Sequence, residues 1–346
     1  MPRPCRPRLS DVAREVGISI ATVSRALSRP NLVEPGTRLR IEQAARRLGY
    51  LPNGAGRALV SGASRTVGVI VPTLDAAIFS RAIQGLQRRL AEAGYQLLVA
   101  AHDYSLAAEA SSVRAMLGHQ VDALVLVGAD RANETRALLK AAEVPVLITW
   151  SFDAEFDAIG FDNEAAGRIA AEHLLALGHI RIGMISGLTE QNDRARLHRL
   201  GVARALANAG LALPDWRVVE QPFSLAGGRA ALAELLALTE APTAIVCGND
   251  LLAAGALFEA ASRKLPVPER LSVVGIDNLD IAAHLVPPLT TVHLPTAQLG
   301  TLAAEHVLAR LSGAPVPARR ELPVALVLRG STAQIPSSVA RSEGGA

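Results

Sequence analysis

Arg25 carries the most specific chemistry near the start of the chain. It closes the stretch IATVSR (20–25). On a helix Val23, Ala26 and Leu27 make an apolar face, which turns Ile20, Ala21, Thr22, Ser24 and Arg25 outward. A guanidinium can bond O6 and N7 of guanine together, and small apolar groups can meet thymine methyls. Hydroxyls can meet phosphates. The preceding residues, DVAREV (11–16), form a second helical pattern with Val12, Ala13 and Val16 facing in. Ser10 and Ser19 are natural N-caps for the two helices, and Gly17 suits the corner between them. The pattern reads as a helix-turn-helix, and double-stranded DNA is the partner it implies.

A second group of reactive side chains stands at the ends of apolar runs. Asp75 follows VGVIVP, Trp150 follows VLIT, Asn249-Asp250 follow TAIVCG, and Asp277-Asn278 follow SVVGI. Parallel sheets present ligands at the carboxyl ends of their strands, so these residues point to a binding cleft. Asp277 and Asp162 are the expected acceptors for ligand hydroxyls. Catalysis finds no support. No G-x-G-x-x-G follows a strand and no P-loop is present, so a nucleotide cofactor lacks its phosphate cradle. The histidines are scattered, and Cys5 and Cys247 give neither metal spacing nor a disulfide framework. No catalytic residue, metal or cofactor is expected.

The elements that must position these residues can be read from charge and periodicity. Residues 1–65 hold 12 Arg, no Lys and 4 acids, whereas the whole chain carries only +3. The positive charge is therefore concentrated around the helix-turn-helix, as phosphate binding requires. A third helix fits Thr37–Leu48, with Leu39, Ile41, Ala44, Ala45 and Leu48 facing in and Gly49 ending it. The headpiece is expected to span 1–52. A linker at 53–62 follows, where Asn53 can cap a short helix that Gly54 and Gly56 weaken by ~1 kcal/mol each.

From Thr66 strands and helices alternate. Strands are expected at 67–72, 95–100, 123–128, 144–150, 181–187, 243–250, 271–278 and 324–330. The helices between them include Ile78–Ala93, Glu164–Leu177, Arg196–Ala209, Leu252–Lys264 and Gln298–Leu311. The fold class is thus an all-α headpiece followed by an α/β region (66–335) of two Rossmann-like subdomains with parallel sheets. The first covers about 66–163 plus 292–322, the second about 164–291 plus 323–335. The tail, 336–346, is expected to be disordered. With no apolar run of membrane-spanning length and no signal peptide, the expected location is cytoplasmic.

The chain resembles LacI-type bacterial transcription regulators along nearly its full length. The residues that carry this are DVAREVG…ATVSRAL (11–27), LGYLPN (48–53), RAL (57–59), VGVIVP (67–72), VDALVLVG (121–128), GFDN (160–163), LGHIRIGMISG (177–187), PTAIVCGND (242–250), VPERLSVVGIDN (267–278) and PPLTTVHLP (287–295). The resemblance implies a homodimer or higher assembly on a pseudo-palindromic operator, with the second helix in the major groove. Arg25 would read guanine. Ile20 and Ala21 would occupy the positions that vary with operator sequence. Ser19, Thr22, Ser24, Thr37, Tyr50 and Asn53 would contact or face phosphate, although caps and solvated surface account for the small polar residues equally well. Residues 53–62 would fold as a hinge helix, with Leu59 wedged into the minor groove beside Arg57. A headpiece core position is the other reading of Leu59. Gly56 stands where the family usually has alanine.

The two subdomains resemble periplasmic binding proteins of type I, which implies a sugar-like or sugar-acid-like effector in the cleft between them. Ile78, Phe79, Trp150 and Phe223 match pocket positions, beside Asp75, Asp162, Asn249, Asp250 and Asp277. Three residues before Gly201 the family commonly has an arginine that holds ligand, and this sequence has His198. Arg194 and Arg196 lie near enough to take its place; such a cationic cluster would favour an anionic or acid-bearing ligand, and a solvated helix start accounts for it equally well. Leu294 departs from a position that is polar in some members.

Overall fold

The computed structural model describes residues 7–28, 30–51 and 63–335. The expected hinge (53–62) and tail (336–346), and with them Asn53, Arg57 and Leu59, lie outside the described residues.

Three helices make the headpiece: α1 (Leu9–Val16), α2 (Ile20–Ser28) and α3 (Pro35–Leu48). Their shared core is Val12, Ala13, Val16, Val23, Ala26, Ile41, Ala44 and Ala45. Gly17 ends α1 at φ 70°, a left-handed conformation that glycine adopts without strain. Two expectations at helix starts need correction. Ser10 lies inside α1, and it is the Asp11 carboxylate that accepts from the Arg8 N–H at 2.8 Å. The third helix starts at Pro35, two residues earlier than expected, because Glu34 accepts from the Gly36 and Thr37 N–H groups and proline suits the first helical position. Leu39, expected inside, is 56% exposed.

The α/β region holds two six-stranded sheets. The first contains β1 (Thr66–Val71), β2 (Gln96–Ala101), β3 (Ala123–Val127), β4 (Val146–Trp150), β5 (Asp157–Phe161) and β11 (Arg319–Leu322), in the order β11-β5-β4-β3-β1-β2. The second contains β6 (Ile182–Gly187), β7 (Val218–Gln221), β8 (Ala244–Cys247), β9 (Ser272–Asp277), β10 (Thr290–His293) and β12 (Ala325–Val327), in the order β12-β10-β9-β8-β6-β7. Both repeat one parallel, doubly wound arrangement, in which the order reverses beside the first strand of each set. β12 alone of the described pairings runs antiparallel, to β10. The chain passes between the lobes after Phe161, again between His293 and Thr296, and a third time between Leu322 and Ala325.

The helices are α4 (Ala77–Glu92), α5 (Leu106–Gly118), α6 (Asn133–Ala141), α7 (Asn163–Ala176), α8 (Asp193–Asn208), α9 (Leu225–Leu236), α10 (Asp250–Ser262) and α11 (Thr296–Leu311). Three pairs of them touch backbone to backbone through reciprocal glycines. A Cβ on Gly167 of α7 would collide with the His198 carbonyl of α8, and one on Gly201 with the Glu164 carbonyl opposite. Gly85 and Gly300 do the same for α4 and α11, and Gly228 and Gly255 for α9 and α10. Such contact lets two helices sit side by side on one sheet face and brings their N-termini near each other.

Five elements went unread in the sequence. β5, β7, β10 and β11 are short, and α9 (LAGGRAALAELL) carries two glycines that mask its helical period. The expected helix Arg196–Ala209 begins three residues earlier, where Asn192 caps α8.

Because Gly201 faces the backbone of α7, Gly201→Ala must separate the two helices or strain them. The expected loss is about 1–3 kcal/mol of stability, read as a lower urea midpoint at unchanged m.

Candidate nucleic-acid interface and ligand cleft

On the headpiece, the face of α2 opposite the core is the candidate DNA surface. Ser19 sets its start: its Oγ accepts from the Thr22 N–H at 3.1 Å and lies 2.8 Å from the Thr22 hydroxyl. Both side chains therefore build the helix start, whatever else they touch. Ile20, Ala21 and Arg25 are exposed, and Thr22 and Ser24 half-buried. Ile20, at the start of α2, is 53% exposed. Thr37 stands half-buried on the first turn of α3, and Tyr50 packs against the headpiece core.

In the α/β region a cleft opens at the carboxyl edges of both sheets. From the first lobe it is lined by Ala76, Ile78 and Phe79 after β1, Tyr104 after β2 and Trp150 at the end of β4. Asn163, Asn192, Arg194, Ala195 and His198 line it from α7 and α8, with Phe223, Gly248, Asn249, Asp277 and Leu294 after strands of the second lobe. Of the twelve ligand residues expected from sequence, the cleft gathers Ile78, Phe79, Trp150, Arg194, His198, Phe223, Asn249 and Asp277.

The other four face elsewhere. Asp75 is exposed and outside the lining. Asp162 caps α7, accepting from the Ala165 N–H at 2.8 Å, and its neighbour Asn163 takes the cleft position. Arg196 reaches Asp130 at 2.5 Å and the Thr189 carbonyl at 2.8 Å. Asp250 is fully buried, holding the Thr291 hydroxyl at 2.5 Å and the Leu279 N–H at 2.6 Å. Tyr104 was missed although it too follows a strand. The polar-end signal that found Trp150 would have found it.

Four of the chain's 11 aromatic residues line this cleft. Phe79 and Trp150 meet edge to face, centroids 5.1 Å apart, the arrangement their quadrupoles favour. Trp150 sits at φ 67°, unusual for a bulky residue. Asn163 holds that backbone by donating to the Trp150 carbonyl at 2.8 Å. Three buried polar atoms of lining residues lack a partner among the described residues: Trp150 Nε1, Asn163 Oδ1 and His198 Nε2. Groups of this kind left unmet cost about 1–3 kcal/mol each, which favours a ligand able to pair with them.

The charges are largely cancelled. Arg194 pairs with Asp193 at 2.9 Å, and Asp193 also accepts the Ala129 N–H at 3.1 Å across the cleft mouth. Arg194 and Asp193 lie against Gly128, where a Cβ would collide with both. Burial and the nearby Arg194 push the His198 imidazole down to about 4, so it is neutral at ordinary pH. Arg196 is thus spent on joining the lobes, while Arg194 lines the cleft with its charge paired to Asp193. Burial raises both Asp250 and Asp277, and the charge of Asp250 raises Asp277 further. No group of three or more His, Cys, Asp or Glu among the described residues could hold a metal, and no described helix is long and apolar enough to cross a membrane.

The description "Bacterial regulatory proteins, lacI family" matches residues 8–53, and "Periplasmic binding protein-like domain" matches residues 171–332. The chain is 33% identical over 331 residues to the HTH-type transcriptional repressor CytR of Escherichia coli, covering 95% of this chain and 97% of that protein. The chain belongs to the LacI family. It is a DNA-binding transcription regulator of that family, with the helix-turn-helix headpiece and the periplasmic-binding-protein-like region that the family joins. Its LacI-family fold superposes on a transcriptional regulator from Silicibacter pomeroyi with a TM-score of 0.87, at 28% identity and covering 94% of this chain and 99% of that one. A lac repressor dimer bound to operator and the anti-inducer ONPF matches with a TM-score of 0.84 at 28% identity, covering 95% of this chain and 100% of that one.

Asp193→Ala would leave the Arg194 guanidinium buried without its partner. The expected cost is about 3–5 kcal/mol of folding stability, measurable by urea denaturation, whereas Arg196→Ala at the exposed pair with Asp130 should cost about 1 kcal/mol or less.

Proposed function

We propose that this LacI-family regulator is a repressor that binds a pseudo-palindromic operator as a homodimer and is switched by a small effector in the cleft. The observation that carries the reading is one continuous chain pairing an exposed Ile20-Ala21…Arg25 face with a cleft of unmet polar atoms at two sheet edges. In this reading α2 enters the major groove, Arg25 bonds a guanine edge, and Ile20 and Ala21 pack on thymine methyls. Ser19, Thr22, Ser24, Thr37 and Tyr50 fix register on phosphate. Asn53, Arg57 and Leu59 continue the contact through the hinge, Leu59 as the minor-groove wedge.

The effector is a compact ring molecule without net charge. The aromatic walls favour a flat or ring-shaped body, and the paired Arg194 and Arg196 offer no spare cation to a sugar acid. Effector binding shifts operator affinity only as far as it prefers one arrangement of the lobes.

The test is operator binding by fluorescence anisotropy at fixed salt, since salt alone moves such affinities greatly. A thermal-shift panel of sugars, sugar acids and nucleobases supplies the candidate effectors. Compounds that raise the melting temperature are expected to change operator affinity. If stabilising compounds leave operator affinity unchanged, the switch is refuted. Arg25→Ala is expected to lose about 1–3 kcal/mol of specific binding, with no change in the thermal shift given by a cleft ligand. Equal discrimination between operator and random DNA in that variant would remove Arg25 from base reading.

A further inference from the structure

Two acids stand side by side at the carboxyl end of β9. The Asp250 carboxylate occupies the space beside Gly275, where a Cβ would run into its Oδ1. The same carboxylate accepts the Leu279 N–H at 2.6 Å, so it lies along the backbone on both sides of Asp277, and its charge acts on Asp277. Of the two acids it is Asp277 that lines the cleft. Both are withdrawn from water: Asp250 is fully buried and Asp277 is 7% exposed.

Their surroundings differ. Asp250 has the Thr291 hydroxyl on Oδ1 and the Leu279 N–H on Oδ2, and Arg329 and Arg81 both attract its charge. For the Asp277 carboxyl no hydrogen bond stands among the influences on its charge, which are burial, Asp250 and Arg81. Arg81 of α4 is the cation that acts on it, and Arg81 donates to the Asn278 carbonyl at 3.3 Å. The other titratable neighbours bring no positive charge. The Tyr104 phenol is held neutral by burial, and burial together with Arg81 pushes the His293 imidazole down. Arg194 on α8 is paired with Asp193. Two buried neighbouring carboxyls do not both ionise, and hydrogen bonds decide which one keeps the charge.

We propose that Asp277 faces the cleft as a neutral carboxylic acid, with Asp250 holding the single charge of the pair. The proposal rests on the cleft being the effector site and reverses the role expected of Asp277 there. Its O–H becomes a donor, so the effector presents an acceptor at this point: a carbonyl, an ether oxygen or a ring nitrogen. Asp250 acts through Asp277 and is a positioning residue. Removing its charge should let Asp277 ionise at a lower pH.

The carboxyls can be followed directly in the ligand-free full-length protein by ¹³C NMR of Cγ-labelled aspartate, from about pH 5 to 9, well above the ordinary aspartate range. Asp277→Asn and Asp250→Asn assign the signals. The Asp277 signal is expected to remain that of the acid at neutral pH, and in Asp250→Asn its midpoint should fall by at least about one unit, tenfold in proton affinity. A wild-type spectrum in which every aspartate Cγ signal is already that of the carboxylate at neutral pH would overturn the proposal without needing either variant to fold. A midpoint unmoved in a folded Asp250→Asn would overturn the part given to Asp250. The titration reads neither operator nor effector binding, so its failure is separable from failure of the proposed repressor switch.

Discussion

A parallel sheet sends every returning connection to the same edge, and the cleft of this protein depends on that constraint. Strands ending in Val71, Trp150, Cys247 and Asp277 deliver their following residues to one side of their sheets. Because both lobes are wound in the same order, each has a place beside its first strand where neighbouring connections diverge and leave room. The first lobe offers Ala76 to Phe79 there, the second Asn192 and Gly248-Asn249. Three passages of the chain between the lobes keep the two edges opposed.

Packing above the sheets follows from small side chains. The helices are rich in alanine, and at Gly167, Gly201, Gly228, Gly255 and Gly300 they meet with no side chain between them. Close backbone approach places α7 and α8 side by side, so that Asn163 and His198 reach the same cavity from two helices. Aromatic residues are few in the chain, and four of its 11 line the cleft. The cores are built mainly from Val, Leu, Ile and Ala, with Phe79, Trp150 and Phe161 in the larger one.

How much was legible depended on how local each interaction is. Ser19, Gly17 and the apolar spacing of α2 act within a few residues, and of the side chains they turn outward Ile20, Ala21 and Arg25 are exposed while Thr22 and Ser24 are half-buried. Long continuous apolar runs made β1, β3, β4, β8 and β9 plain, whereas the largely buried β5 and β10 went unread. β11, with sequence RREL, gave no such signal, since its first three residues are exposed at the sheet edge. Leu39 failed for the opposite reason: helical spacing assigned it a face, but the headpiece core was already filled by Ile41, Ala44 and Ala45.

The sequence by itself determined the order of elements, the concentration of arginine in the first 65 residues, and the rule that polar residues after strands would meet in a cleft. Only the tertiary structure decided which of them face it. Asp162 turned to cap a helix and left the cavity to Asn163, while Asp250 turned inward to Thr291 and left it to Asp277. Arg194 and Arg196 found carboxylates and lost the spare charge that their spacing suggested. Charge state and hydrogen-bond partner are set by groups distant in sequence and close in space. Local spacing can nominate such residues, but folding assigns their work.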